Sequence, residues 1–319
     1  MSRARDIIQE IANVRERRYF ASAMTELPFR LFALEKAFKS YDRKQLELAR
    51  YFPVALVACI EGYFRMVVGD LIDSGDPYLT NAEKAGSSLK LDFAVMRAVH
   101  GKKITIGELV AHGVPISRIE HIDSVLSSIL DTNFLSKLRT TVDRWAHEVD
   151  GKPAIPLLSA PDRTYKDVAR TFELRHIICH EIASAYEIDL DEIERCFESC
   201  VSFLRAADEC ISEILHPGSL LTQTEMNIAA SASLGEAEER LEHIVKALAN
   251  TGNTEHDAKV FEVNSSWHAW CEAWVMLRVG DRKTSGTIWP LHYAGIKQSN
   301  IERWISDLET FRDRGEGDI

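Results

Sequence analysis

With 319 residues, 45% of them apolar and 27% charged, the chain is neither a disordered tail nor too short to bury a core in each of two domains. Its net charge of −11 excludes the broad basic footprint of a general nucleic-acid binder, so any contact with RNA has to be local. The longest nearly apolar run, 52–60, is about half a bilayer span. The start from Met1 to Arg18 lacks the apolar stretch of a secretory signal, so a cytoplasmic protein with no membrane partner is expected.

Apolar residues recur at helical spacing along most of the chain and strand-like alternation is scarce, which predicts an all-α fold. In chain order the pattern predicts helices over 3–20, 24–39, 43–74, 90–98, 118–130, 133–149, 164–185, 189–215, 222–250, 257–279 and 298–313. Glycine coupled to proline breaks the pattern at 74–77, 151–153 and 216–219. The stretch from Thr105 to Pro115 reads as a connector that holds a short extended piece. Across His216-Pro217-Gly218-Ser219 the composition shifts. Five of the six cysteines precede it and five of the six tryptophans follow it. The expected domains are therefore 1–217 and 218–319.

The cysteines show neither a disulfide framework nor paired C-x-x-C. Cys196, Cys200 and Cys210 fall on one helical stripe with Ile193, Phe197, Phe203, Leu204, Ala207 and Ile211, where a thiol packs as a small hydrophobe.

The segment Phe172-Glu173-Leu174-Arg175-His176-Ile177-Ile178-Cys179-His180-Glu181 carries chemistry. His176 and His180, four apart, share a helix face, with Arg175 at its edge. A guanidinium can grip phosphate oxygens with a fork of hydrogen bonds. Imidazoles can take a proton from a ribose 2′-hydroxyl and return one to the leaving oxygen. Two other readings stay open: a surface salt bridge of Arg175 and His180 with Glu173 or Glu181, and a zinc site on the H-x3-H spacing. No third zinc ligand stands at a familiar spacing, and no cofactor is expected.

With polar His176 after the arginine, these residues resemble the R-x(4–6)-H signature of HEPN domains, helical ribonucleases of toxin–antitoxin and antiviral systems. The likeness extends over roughly 20–216. It includes an acidic residue in a long apolar helix, here Glu61 within Val54–Arg65, and a closing helix, here Asp189 to Leu215. The resemblance implies a metal-independent endoribonuclease acting on tRNA or mRNA, a homodimer with a composite active site, and an antitoxin or trigger protein. Arg175, His176 and His180 would be catalytic. Glu61 would orient Arg175 or His180; on the residues alone it could equally be the buried partner of Arg65.

In the second domain Thr222 and Glu225 form a capping-box signal. Thr222-Gln223-Thr224-Glu225-Met226-Asn227 resembles the opening of LprI-type lysozyme-inhibitor domains. Ser266-Trp267-His268-Ala269-Trp270, Ser285–Pro290 and Ile301-Glu302-Arg303 resemble later parts of the same module. Ala229 and Gly295 stand near cysteine positions of the secreted members, which suits a reducing compartment. The resemblance implies a small helical regulatory or dimer-support module. Two further functions are weighed beside the nuclease: a non-catalytic HEPN-like scaffold regulated through its C-terminal domain, and an exported inhibitor of a cell-wall hydrolase.

Overall fold

A computed structural model describes residues 7–83, 93–181, 185–283 and 286–314. The fold is all-α, and among the described residues the only β contact is an isolated bridge between Val142 and Pro156. The chain divides into two units, Met1–Gly218 and Ser219–Ile319.

The first unit contains α1 (Ile7–Glu16), α2 (Ala23–Ser40), α3 (Leu46–Ala49), α4 (Tyr51–Asp73) and α5 (Tyr78–Asn81). It continues with α6 (Phe93–His100), α7 (Ile106–Gly113), α8 (Ile119–Leu130), α9 (Phe134–Leu138), α10 (Pro161–His180) and α11 (Leu190–Leu215). Its axis is α4, in which 15 of 23 residues are buried. By length and composition Leu46–Asp73 could cross a membrane, yet most of its apolar window lies inside this unit. α2, α7, α10 and α11 cover it. Phe64 meets Phe134 edge-on at 5.9 Å and Phe203 at 5.7 Å. α11 presents the cysteine stripe to the same core, where Cys196, Cys200 and Cys210 are all buried. Burial pushes the Cys59 thiol up to about 11 and Cys200 up to about 12, as expected of thiols that pack rather than react.

The stretch read as an extended connector contains helix α7. Thr105 Oγ1 accepts from the Glu108 amide at 3.0 Å, and a Glu108 carboxylate oxygen accepts from the Thr105 amide at 2.9 Å. This capping box starts a helix too short to display a clear period. α7 crosses α4 backbone to backbone. The Gly107 amide donates to Asp73 Oδ1 at 2.9 Å, and a Cβ at 107 would lie 2.3 Å from the Gly69 carbonyl oxygen.

Other boundaries move for local reasons. The helix expected over 133–149 stops at Leu138 and resumes only as a π-helical turn, Trp145–Val149. The hydroxyls of Thr140 and Thr141 donate back to the Lys137 carbonyl, and Val142 bridges Pro156. The ends 3–6, 90–92 and 182–184 of three expected helices lie outside the described residues.

The second unit holds α12 (Gln223–Leu248), α13 (Thr254–Val279) and α14 (Trp289–Arg314). Thr222 and Glu225 cap α12 reciprocally, as their spacing predicts. α14 begins nine residues before the expected 298, because Pro290 sits in its first turn, where no amide is needed. Ala237, Leu241, Val245 and Leu248 of α12 pack with Ile301, Ile305 and Leu308 of α14. Glu238 pairs with Lys297 and Arg240 with Glu302, so these two helices run in the same direction. Trp267 of α13 stacks on Trp304 at 5.6 Å, and Ser285 of the loop before α14 lies outside the described residues.

Two glycine substitutions should act in opposite directions. Gly107→Ala forces α7 off α4 and should cost roughly 2–3 kcal/mol of unfolding free energy. A Cβ at Gly62, inside α4, meets nothing within 4 Å. Gly62→Ala should therefore add about 1 kcal/mol through helix propensity. Urea unfolding of the two variants checks both signs.

Candidate functional site

Helix α10 begins with Pro161 in its first turn and buries Thr164, Val168, Thr171 and Phe172 at spacings of three and four. Asp167 is 7% exposed and accepts from Ser199 Oγ at 2.8 Å and Arg195 Nε at 3.3 Å. Those bonds fix the helix against α11. Arg170 completes the clamp: it donates to Glu192 Oε1, Glu173 Oε2 and the Tyr186 hydroxyl, each at 2.9 Å. Arg50 donates to the Tyr186 carbonyl at 2.9 Å. The segment that leads into α11 is thus tied to both α10 and α4.

The last turn of α10 continues beyond its final buried side chain, Leu174. Arg175 lies in register with Val168 and Phe172, seven and three residues earlier, and is half-buried; His176, Cys179 and His180 are exposed. Arg175 Nη1 lies 3.3 Å from His180 Nε2. A guanidinium only donates, so in a hydrogen bond between them His180 Nε2 is the acceptor. The His176 and His180 rings are 5.2 Å apart, and His176 makes no hydrogen bond among the described residues. Glu173 is engaged by Arg170 instead. Among the described residues Arg175 has no carboxylate partner, and neither Glu173 nor Glu181 pairs with it or with His180.

Glu61 stands apart from this cluster. Its ion pair is with Arg65 of its own helix, at 3.9 Å, and it makes no hydrogen bond or ion pair with Arg175, His176 or His180. The structure therefore joins three of the four predicted residues and leaves the fourth with its neighbour on α4. Among the described residues no three His, Cys, Asp or Glu side chains converge on a common point as metal ligands. The Arg–His turn takes no part in lining the open cavity of about 800 Å³ between α1, α4 and α7 around Arg18, Asp70 and Asp73.

Sequence reasoning missed Asp208, which borders a cavity of about 440 Å³ beside Asp143, Arg205 and Glu209. Burial raises its carboxyl to about 7, against a smaller opposing effect of the Tyr63 hydroxyl, which donates to it at 3.2 Å; the neighbouring Glu209 pushes it up further. The one available signal was a carboxylate set between Ala206-Ala207 and Cys210-Ile211 on an otherwise buried stripe.

Compared with known protein families, with curated proteins and with solved structures, the chain matches none of them.

The raised Asp208 pKa sets a sign for stability against pH. Between about 4 and 7 the group is protonated when folded and ionised when unfolded, so its contribution falls as pH rises through that window and is level above it. Asp208→Asn should remove this slope and exceed the parent chain in stability at pH 8 by on the order of 2 kcal/mol. Urea titrations of both proteins at pH 4.5, 6 and 8 measure the difference.

Proposed function

We propose that the first unit is a HEPN-like, metal-independent endoribonuclease of toxin or antiviral-defence type, and that Arg175, His176 and His180 do its chemistry on tRNA or mRNA. The observation that carries this reading is the Arg175–His180 contact: an arginine with no carboxylate partner among the described residues, in a chain of net charge −11, 3.3 Å from an imidazole nitrogen. A cation left unpaired on an acidic protein is free to take an anion, and a phosphodiester supplies one next to a hydroxyl.

In the proposed reaction Arg175 holds the non-bridging oxygens of the phosphate and neutralises the charge that grows there. His180 Nε2 takes the proton of the 2′-hydroxyl as its oxygen bonds to phosphorus. The bond from phosphorus to the 5′ oxygen breaks, and a second imidazole, His176 or the His180 of a facing copy, gives that oxygen a proton. The products are a 2′,3′-cyclic phosphate and a 5′-hydroxyl. The nucleophile is the substrate's own hydroxyl, so the step consumes no water. On this reading two copies face each other across one cleft, Glu61 serves α4 through Arg65 rather than the reacting groups, and the second unit regulates the first.

A second reading has support in the overall acidity: a helical binding protein that has the same turn but does not cleave. One assay separates the two. Purified protein should cut RNA in EDTA and leave 5′-hydroxyl ends. Arg175→Ala and His180→Ala should each lower the rate by about 10²–10⁴, with far-UV circular dichroism unchanged because both side chains lie at a helix end. RNA left intact by the parent chain, or cut equally by the variants, would sink the nuclease.

A further inference from the structure

Between α1, α2 and α4 an open cleft of about 340 Å³ joins an apolar floor to a cluster of arginines. That volume lies within the range of small-molecule sites. α4 supplies the floor with Ala58, Cys59, Gly62 and Met66, and α2 adds Leu27. The floor is open above Gly62, where an added Cβ meets nothing within 4 Å.

Arg17 and Arg18, in the segment after α1, and Arg30 of α2 line the same cleft. The segment is pinned on both sides. The amides of Tyr19 and Phe20 donate to Glu26 Oε2 at 3.2 and 3.0 Å, and the Ala23 amide donates to Asp70 Oδ2 at 2.8 Å. These bonds engage the carboxylates that could have neutralised the arginines, while Glu108 is taken by Arg15. Glu26, the one acid among the described lining residues, stands one turn before Arg30 and makes no ion pair with it. Among the described residues none of Arg17, Arg18 and Arg30 has an ion pair.

Arg18 is half-buried. Burial pushes its guanidinium down, and the charges of Glu108, Asp70 and Glu26 offset only part of that. A cation that loses water without gaining a hydrogen-bonded acceptor is costly, and an entering anion removes the cost. Burial raises the Cys59 thiol and the Arg30 charge opposes it, which sets that cation near the apolar floor.

We propose that this cleft binds a small amphiphilic anion, its carboxylate or phosphate head held by Arg17, Arg18 and Arg30 and its aliphatic body laid on the α4 floor. A guanidinium fork matches either head, and three of them give a local positive field on a chain of net charge −11. The apolar floor favours a tailed anion over a bare one. The cleft shares no lining residue with the Arg–His turn, so the site stands whether or not the first unit cleaves RNA.

Calorimetric titration of the full chain with decanoate and with decyl phosphate, both below their micelle concentrations, tests it. At least one should bind saturably and about tenfold or more tighter than acetate or inorganic phosphate, and the tighter of the two identifies the head. Decyltrimethylammonium, with the same tail and the opposite charge, should not bind. Arg18→Gln and Arg30→Gln should each weaken binding about tenfold, and neither breaks an ion pair of the fold. Lys39→Gln, at an exposed cation of α2 outside the cleft, should leave binding unchanged. Gly62→Leu should fill the floor and abolish it, with urea unfolding as the check that the variant folds. No saturable binding of either decyl anion, binding no tighter than that of inorganic phosphate, or equal binding of the decyl cation would each overturn the proposal. So would an affinity indifferent to both Arg18→Gln and Gly62→Leu. Displacement of the decyl anion by oligouridylate as readily as by decyl phosphate would assign the arginines to an RNA backbone and overturn it as well.

Discussion

The burial of α4 is the constraint from which the first unit follows. A 23-residue helix that is apolar around most of its circumference cannot meet water on any broad face, so its neighbours have to be amphipathic and have to surround it. α2, α7, α10 and α11 do this, each turning a largely apolar stripe inward. Where bulk would keep a neighbour away, glycine removes it, as at the crossing of Gly69 and Gly107. The position of the Arg–His turn is a by-product of this arrangement. α10 covers α4 as far as Leu174 and then runs six residues further, with Ile178 still packed on the core while His176, Cys179 and His180 are exposed.

Electrostatics divides the arginines near that turn into two kinds. Arg170 and Arg50 are spent on structure, their guanidiniums tied to Glu192, Glu173 and Tyr186. Arg175 is left with the His180 imidazole as its partner. The carboxylates divide in the same way. Asp167 is buried and receives donors from Ser199 and Arg195. Asp208 receives one phenol, which offsets only part of the effect of burial, and its carboxyl is raised to about 7.

The long helices could be read from the sequence because their burial pattern spans many turns. α11 and the capping box at Thr222 fall where periodicity and end signals put them; the expected 43–74 divides into α3 and α4, and α10 begins three residues early at Pro161 and ends at His180 rather than 185. α7 was missed because eight residues, about two turns, show little period, although Thr105-x-x-Glu108 is the same end signal as Thr222-x-x-Glu225. The overshoot to 149 came from apolar spacing that continues past Leu138 while threonine hydroxyls end the helix. At the site, Arg175, His176 and His180 were legible together because one helix carries all three. Glu61 was ambiguous because its partner depends on tertiary placement, and Arg65 on its own helix takes that role. Asp208 was invisible as a titrating group, since its proton affinity comes from an enclosure built by residues far away in sequence.

Each of the three hydrophobic clusters among the described residues lies within one unit. The largest one takes its side chains from Ala23 to Ile211, and that of the second unit from Ala237 to Leu308. The groups that brace the Arg–His turn also belong entirely to the first unit. Neither half therefore needs the other to complete its interior, and the segment around Gly218 is a seam along which a gene can be cut and rejoined. Chains that keep 1–218 and carry a different module after Ser219 would inherit the same turn with its bracing intact.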